Sequence, residues 1–265
     1  VACSPITTAA MPEYPTKDME SGFKDNGYRE GDYVTIIGWL KDMPEEMWKL
    51  DNKFELAMNN FLIEEEESFV ADLDSLGRFT LKAPILNTSE VFLDWARSGV
   101  NSVLEPGETY FFLNDFATGQ KLFMGKNVRL QNEILAHPIE RSRTDLTPEG
   151  RGKSDATKVW AKADSIRAVQ MEGLKQLQTM HPNLSQRYIY YAEGLYRNSQ
   201  ACNMMQARFN FPNFDVPQDY LEYVGKEFWQ NRPQPYTLHR DFSLFMDDYH
   251  DQLSDFDGRI SAEDI

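Results

Sequence analysis

The stretch YVTIIGWL at residues 33–40 decides how the first half of the chain folds. It is dense in β-branched and aromatic residues, which favour the pleated backbone of a strand. The stretch RFTLKA at residues 78–83 repeats the signal with strict alternation of apolar and polar side chains. Between them, DLDSLG at residues 72–77 predicts a tight turn, because Asp favours turn starts and Gly tolerates a positive φ. Residues 33–124 are therefore predicted to form about seven short strands, as an antiparallel β-sandwich or partly open barrel.

The hydrophobic period changes from two to 3.6 near Asn127. A short helix is predicted over residues 126–137, and a polar stretch follows it. Longer helices are predicted at 154–180 and 184–209, then after a capping box that starts at Asp215, and finally over residues 242–253. Strands first and helices afterwards predict an α+β chain, in which an N-terminal antiparallel β-sandwich or partly open barrel precedes an α-helical domain.

We accordingly divide the chain into four parts. Residues 1–32 are rich in Pro, Gly and Thr and lack apolar periodicity, so we expect a flexible N-terminal tether. Residues 33–125 are expected to form the antiparallel β domain. Residues 126–153 are expected to form the short helix with its polar linker, and residues 154–265 the α-helical domain.

Composition and charge narrow the classes of function. Hydrophobic residues make up 41% of the 265 residues and aromatic residues 13%, as in a globular protein. The net charge of −15 repels phosphate backbones, so nucleic acid is not an expected partner. No apolar run approaches the ~20 residues that a membrane-spanning helix needs, so no transmembrane segment is expected.

The N-terminal sequence Val1-Ala2-Cys3-Ser4 resembles the end of a bacterial lipoprotein signal, where small residues precede a cysteine that becomes acylated. The breaker-rich residues that follow suit a tether, so we predict lipidation at Cys3. The alternative is an ordinary cysteine at a frayed terminus. The second cysteine, Cys202, lies among apolar helical residues and is expected to be a buried, inert thiol.

Motifs of catalysis and cofactor binding are missing from the sequence. The four histidines have no second ligand at a familiar metal-binding spacing, and no nucleophile elbow, phosphate-binding glycine loop or dinucleotide fingerprint occurs. The nearest metal motif surrounds Asp255 and Asp257. A calcium loop has a carboxylate residue at the position that Leu253 occupies here and a Glu at the position that Asp264 occupies. An ordinary Asp-Gly turn is favoured there. We predict no catalytic, cofactor-binding or metal-binding residue, and no cofactor.

Four tyrosines between residues 188 and 196 form the densest aromatic cluster of the sequence. Stacking against a sugar or a peptide is one interpretation. Their helical spacing favours the other, in which the rings pack in the core and their hydroxyl groups lie at its boundary.

Four short motifs carry a resemblance to a known family. They are Gly31-x-Tyr33-x-Thr35-x-Ile37-Gly38, Asp74-x-x-Gly77-x-Phe79, LEPGE at residues 104–108 and GKNVRLQNE at residues 125–133. This segment resembles the N-terminal domain of unknown function of Bacteroidetes-type thiol–disulfide oxidoreductases (TlpA-like lipoproteins of the thioredoxin superfamily). The resemblance implies an exported protein, periplasmic or associated with the outer membrane. In that family a thioredoxin domain with a Cys-x-x-Cys motif performs the redox chemistry, and this sequence has no such motif.

The sequence thus favours a non-enzymatic binding or scaffolding module of the cell envelope, attached through a lipid at Cys3, whose partner is a protein or small ligand there. A first alternative is an accessory N-terminal portion of a thiol–disulfide oxidoreductase whose thioredoxin domain is absent from this chain. A second alternative is a carbohydrate-binding or hydrolytic envelope protein, which would require a concave pocket with converging carboxylates.

Overall fold

The computed structural model describes residues 22–23, 25–29, 31–60, 65–96, 98–139, 156–210 and 216–257. Its strands are β1 (Tyr33–Lys41), β2 (Lys53–Asn60), β3 (Glu65–Asp72), β4 (Arg78–Pro84), β5 (Ser89–Trp95), β6 (Ser98–Leu104), β7 (Thr109–Asp115) and β8 (Gln120–Met124). Its α-helices are α1 (Glu45–Leu50), α2 (Arg129–Ala136), α3 (Ala156–Met180), α4 (Gln186–Asn210), α5 (Gln218–Val224) and α6 (Arg240–Asp257). The predicted order of strands first and helices afterwards is confirmed.

The strands form two four-stranded sheets that pack face to face. The first sheet has the order β4-β1-β7-β8 and the second the order β3-β2-β5-β6. Phe54 of the second sheet stacks on Phe79 of the first with ring centroids 4.0 Å apart, and Trp95 lies 5.4 Å from Phe112. These rings belong to one buried core, as expected when alternate residues of both sheets point inward. The β part is therefore a sandwich and not a closed barrel.

One strand pair departs from the predicted antiparallel arrangement. β1 pairs with β7 in parallel, with Ile37 opposite Phe111, whereas every other pair among the described strands is antiparallel. A short turn between two consecutive strands makes them run antiparallel. β1 and β7 are far apart in sequence and meet only after the chain has passed through the second sheet, so no turn constrains their relative direction.

The short helix α1 was not predicted from the sequence. α1 follows Pro44, and its first turn carries Glu45 and Glu46, which suit a helix N-terminus. Its six residues are too few to show a helical period. α5 is the helix that was predicted after the capping box, and it begins at Gln218, while Asp215 lies outside the described residues. It continues directly into a π-helical turn over Gly225–Trp229. The long helices follow the prediction closely, because their apolar positions repeat over many turns.

The helices cover one side of the sandwich. Asn132 of α2 accepts a hydrogen bond from the Phe123 amide and donates one to the Phe123 carbonyl oxygen, so α2 extends the pairing of β8. The side chain of Gln131 donates to the Val103 carbonyl oxygen of β6. α2 therefore bridges the edge strands of the two sheets, and α4 packs behind it against α3 and α6.

Polar contacts join the second sheet to the helices. Glu90 is buried and accepts hydrogen bonds from the Tyr191 hydroxyl (2.6 Å) and the Arg240 amide (2.8 Å). The Thr237 hydroxyl donates to the Thr88 carbonyl oxygen. Part of the predicted tether also joins this region, since the Tyr236 amide donates to the Tyr28 hydroxyl. The outer face of the second sheet is thus partly covered by helices, and that of the first sheet is open among the described residues.

Candidate functional site

The outer face of the first sheet carries two adjacent rows of side chains, which are apolar except at the β4 end, where Thr80 and Arg78 lie. The strand registers place one row across Thr80, Ile37, Phe111 and Met124, and the next across Arg78, Trp39, Leu113 and Leu122. Neighbouring strands lie ~4.8 Å apart and alternate residues of one strand ~7 Å apart, so the two rows form a continuous surface. We call this surface the sheet groove.

Four large apolar side chains of the sheet groove are exposed. Ile37 is 38% exposed, and Trp39, Phe111 and Met124 are each 42% exposed. Together with their neighbours they line a cavity of about 1010 Å³. Single exposed apolar residues are common on protein surfaces, whereas these four are grouped on one face with polar groups at its rim, which makes the sheet groove a candidate interaction site.

A rim of paired charges borders the groove at one end. Lys41 Nζ lies 2.6 Å from Asp115 Oδ2, and Arg78 Nη2 lies 2.8 Å from Asp74 Oδ2. The hydrogen bond with Asp115 raises the pKa of Lys41 and lowers the pKa of Asp115 below its ordinary value. Asp72 also lines the groove, so the rim carries three carboxylates and two cations and is close to neutral. Such a rim suits an uncharged apolar ligand surface.

The turn before β4 positions both the rim and the floor of the groove. The Asp74 carboxylate accepts hydrogen bonds from the backbone amides of Arg78 and Leu76. These two bonds, together with the bond from the Arg78 side chain, lower the pKa of Asp74. Gly77 has φ +77°, and a Cβ there would lie 2.4 Å from the Leu40 carbonyl oxygen, so the turn requires glycine. The Trp39 indole Nε1 donates to the Leu76 carbonyl oxygen at 2.8 Å, which holds the ring in place.

Two carboxylates of the groove, Asp74 and Asp115, are unsuited to act as general acids. Asp74 and Asp115 have lowered pKa values and stay ionised, whereas a general acid needs a raised pKa. Among the described carboxyl groups, burial raises the pKa of Asp94 and Asp248, but Asp94 lies on the second sheet and Asp248 in α6.

A second, smaller cavity of about 270 Å³ lies at the junction of the sheets and the helices. Its polar lining is formed by Glu90, Asn101, Lys121 and Tyr191, and its apolar lining includes Val100, Ile134 and Leu195. The Glu90 carboxylate is engaged by Tyr191 and by the Arg240 amide, so its contacts are those of a structural link between the two parts.

The structure separates most of the residues that the sequence singled out. Cys3 and the residues after Asp257 lie outside the described residues. α6 runs through Asp257, so Asp255 and Asp257 are helical where a calcium loop would need a turn. No group of three or more His, Cys, Asp or Glu side chains that could hold a metal ion occurs within the described ranges. Cys202 is buried in α4.

The tyrosine cluster belongs mainly to the core, as its helical spacing predicts. Tyr188 and Tyr191 are buried, Tyr196 is partly buried and Tyr190 is exposed. Three of the histidines are also near helix ends: His137 and His181 face each other with ring centroids 4.4 Å apart, and His239 is fully buried before α6.

The residues of the sheet groove were not among the predicted site residues. A signal was present, because YVTIIGWL has large apolar residues at both odd and even positions, whereas a strand with one solvated face should alternate. That pattern indicates that the second face of β1 is covered or binds a partner. It does not identify the residues of other strands that lie on the same face.

No family model matches this chain, and no curated protein or solved structure matches it significantly. No helix of the part that the structure describes is long and apolar enough to cross a membrane.

Proposed function

We propose that this protein is a non-enzymatic binding module that docks a partner protein in the sheet groove. The observation that carries the proposal is the pair of exposed apolar rows on the first sheet. Trp39, Phe111, Met124 and Arg78 are residue types enriched at protein interfaces, and an apolar centre with a polar rim is the usual anatomy of an interface. We expect the partner to contribute an uncharged apolar stripe, most simply one face of an amphipathic helix.

Self-association is a poorer explanation for the open face. The chain carries a net charge of −15, so two copies repel each other, and the near-neutral rim of the groove does not offset that charge. Light scattering coupled to size exclusion should find a monomer. A dimer that dissociates when Trp39 is replaced by Ser would identify a second copy as the occupant and would overturn the proposal.

A designed peptide provides a direct test with the purified chain. The probe is a neutral amphipathic helix of about 18 residues, five turns, with Leu at positions i, i+3, i+4 and i+7; a scrambled peptide without the stripe is its control. Fluorescence anisotropy should show saturable binding of the striped peptide and binding at least about tenfold weaker for the scrambled one.

Variants then locate the binding site. Trp39→Ser and Phe111→Ser should each weaken binding by about tenfold or more, because each removes a large aromatic anchor. Val70→Ser is the matched control, since Val70 is 52% exposed on β3 of the second sheet. Equal binding of both peptides, or equal weakening by all three variants, would contradict the proposal.

The cellular setting remains a prediction from the sequence. The resemblance of residues 31–133 to the accessory domain of TlpA-like lipoproteins supports a place in the cell envelope, and Cys3 is the predicted point of attachment. Mass spectrometry of the protein isolated from its native membrane tests this directly. An acylated Cys3 is expected, and an unmodified Cys3 would remove the anchor from the proposal.

A further inference from the structure

The end of the sheet groove opposite its charged rim carries an exposed cation. The next row of outward residues after the two rows of the groove is Lys82 of β4, Thr35 of β1 and Thr109 of β7. Residues two apart point to the same face of a strand, so this row continues the outer face of the sheet. Lys82 is exposed, and its Nζ lies 4.2 Å from the centroid of the Tyr33 ring, a cation–π contact that holds the charge at this end.

A second exposed lysine follows the end of β8. Lys126 comes two residues after Met124, and a Cβ at the intervening Gly125 would lie 3.2 Å from the Thr109 carbonyl oxygen. The chain therefore leaves β8 beside the row that contains Lys82. Neither lysine forms an ion pair with a carboxylate of the described residues. This end of the groove thus presents two positive charges to solvent.

The acidic residues that precede these strands have other contacts. The carboxylate of Asp32, before β1, accepts a hydrogen bond from the Asn26 side chain. Glu108 precedes Thr109 by one residue, so the alternation of the strand places it toward the opposite face. Burial and nearby carboxylates that include Glu108 raise the pKa of Tyr110, which is buried in the sandwich core. Glu108 therefore lies on the core side of the sheet, away from the face that carries Lys82.

The two ends of the sheet groove differ in charge, and apolar side chains lie between them. The rim has three carboxylates and two cations, whereas the opposite end has two lysines. We propose that the partner helix of the sheet groove carries carboxylates at one end of its apolar stripe and that this end meets Lys82 and Lys126. The inference rests on the proposed docking function, and it adds the chemistry that sets the direction of the helix in the groove.

The dimensions of the groove suit such a helix. Lys41 of the rim lies six residues after Thr35 on β1, which is ~20 Å at ~3.3 Å per residue. A helix rises about 1.5 Å per residue, so about 14 residues reach from the rim to the row of Lys82. A carboxylate in the last turn of the helix can then form a charge-assisted hydrogen bond with a lysine ammonium group.

Fluorescence anisotropy with three peptides tests the inference at a low salt concentration of about 20 mM. The neutral striped peptide of the docking test is extended at its C-terminus by two Glu residues in one probe and by two Lys residues in another. The net charge of −15 and the helix dipole both favour the Lys-extended peptide. The two lysines of the groove predict the reverse order. The Glu-extended peptide should bind at least about threefold more tightly than the neutral one, and the difference should vanish at about 0.5 M salt.

Variants of the chain assign the effect to the two lysines. Lys82→Gln combined with Lys126→Gln should abolish the advantage of the Glu-extended peptide. Lys53→Gln, exposed on β2 of the second sheet, is the matched control and should keep it. A Lys-extended peptide that binds most tightly, or a Glu advantage that survives the double variant, would overturn the inference and leave docking in the groove intact.

Two further outcomes bear on the groove as a whole. Failure of every striped peptide to bind would refute the docking function itself, and the inference with it. Competition with dodecanoate distinguishes a helix from an acyl chain that carries a carboxylate. The helix assignment predicts that dodecanoate does not displace the Glu-extended peptide at concentrations near the Kd of that peptide. Displacement there would make an acyl chain the occupant and would overturn the inference.

Discussion

The ion pair between Arg187 and Glu105 links the two parts of the chain and gives the sharpest stability prediction. Arg187 lies in the first turn of α4, and Glu105 lies in the turn between β6 and β7. Their side chains are only 11% and 8% exposed. Replacing Arg187 by Met keeps much of the buried volume and leaves the Glu105 carboxylate without its cation.

The expected loss follows from the burial of the pair. Removing one partner of a buried ion pair costs about 3–5 kcal/mol, because the remaining charge is desolvated and uncompensated. For a chain of this size, about 4 kcal/mol corresponds to a fall in Tm of roughly 10 °C. The double variant Arg187→Met with Glu105→Gln should regain about half of the loss or more, because neither charge then remains buried alone.

Urea unfolding measures these changes. Circular dichroism at 222 nm follows the helices, and tryptophan fluorescence also reports on Trp39 and Trp95 of the sheets. The two transitions should coincide if the ion pair and the Glu90 contacts couple both parts into one cooperative unit. Glu45→Gln is the control, because its exposed pair with Lys49 should contribute less than about 0.5 kcal/mol. A loss below about 1 kcal/mol for Arg187→Met would refute the argument from burial.

Three further predictions concern the core, the rim and the thiol. Leu93→Ala should lower the free energy of unfolding by about 2–5 kcal/mol in urea titrations, because Leu93 is fully buried between the sheets. The lowered pKa of Asp115 contributes stability that is present above pH 3.8, its ordinary value, and is lost as the pH falls through the lower folded value. Asp115→Asn should therefore flatten the fall of Tm below about pH 4, and an unchanged profile would contradict the role of Lys41. In an insulin-reduction assay the chain should match its Cys202→Ala variant and the background rate, since Cys202 is buried; a faster rate would count against a binding role.

Much of the fold could be predicted because its signals are local and repeated. α3 begins and ends where its apolar spacing and the following His181-Pro182 predict, and the turn before Arg78 has the residues that its geometry requires. α1 could not be predicted, since six residues are too few to establish a helical period. The parallel direction of β1 and β7 was also unpredictable, because it depends on contacts between strands about 70 residues apart.

The candidate sites were harder to predict than the fold. Trp39 and Phe111 are unremarkable strand residues in the sequence, and only the register across β1 and β7 makes them neighbours. Local patterns predict which residues are apolar or polar, whereas a site requires that particular side chains from distant segments converge.

The sequence by itself determined the class of the fold, the positions of the long helices and the scarcity of recognisable catalytic motifs, because each depends on patterns within one segment. The tertiary structure decided that one apolar face of β1 is buried and the other is exposed. Its even-numbered residues fill the sandwich core, and Ile37 and Trp39 stay exposed in the sheet groove. The physical reason is that burial is set by what packs on each face, and the helices pack against the second sheet and leave the first open among the described residues.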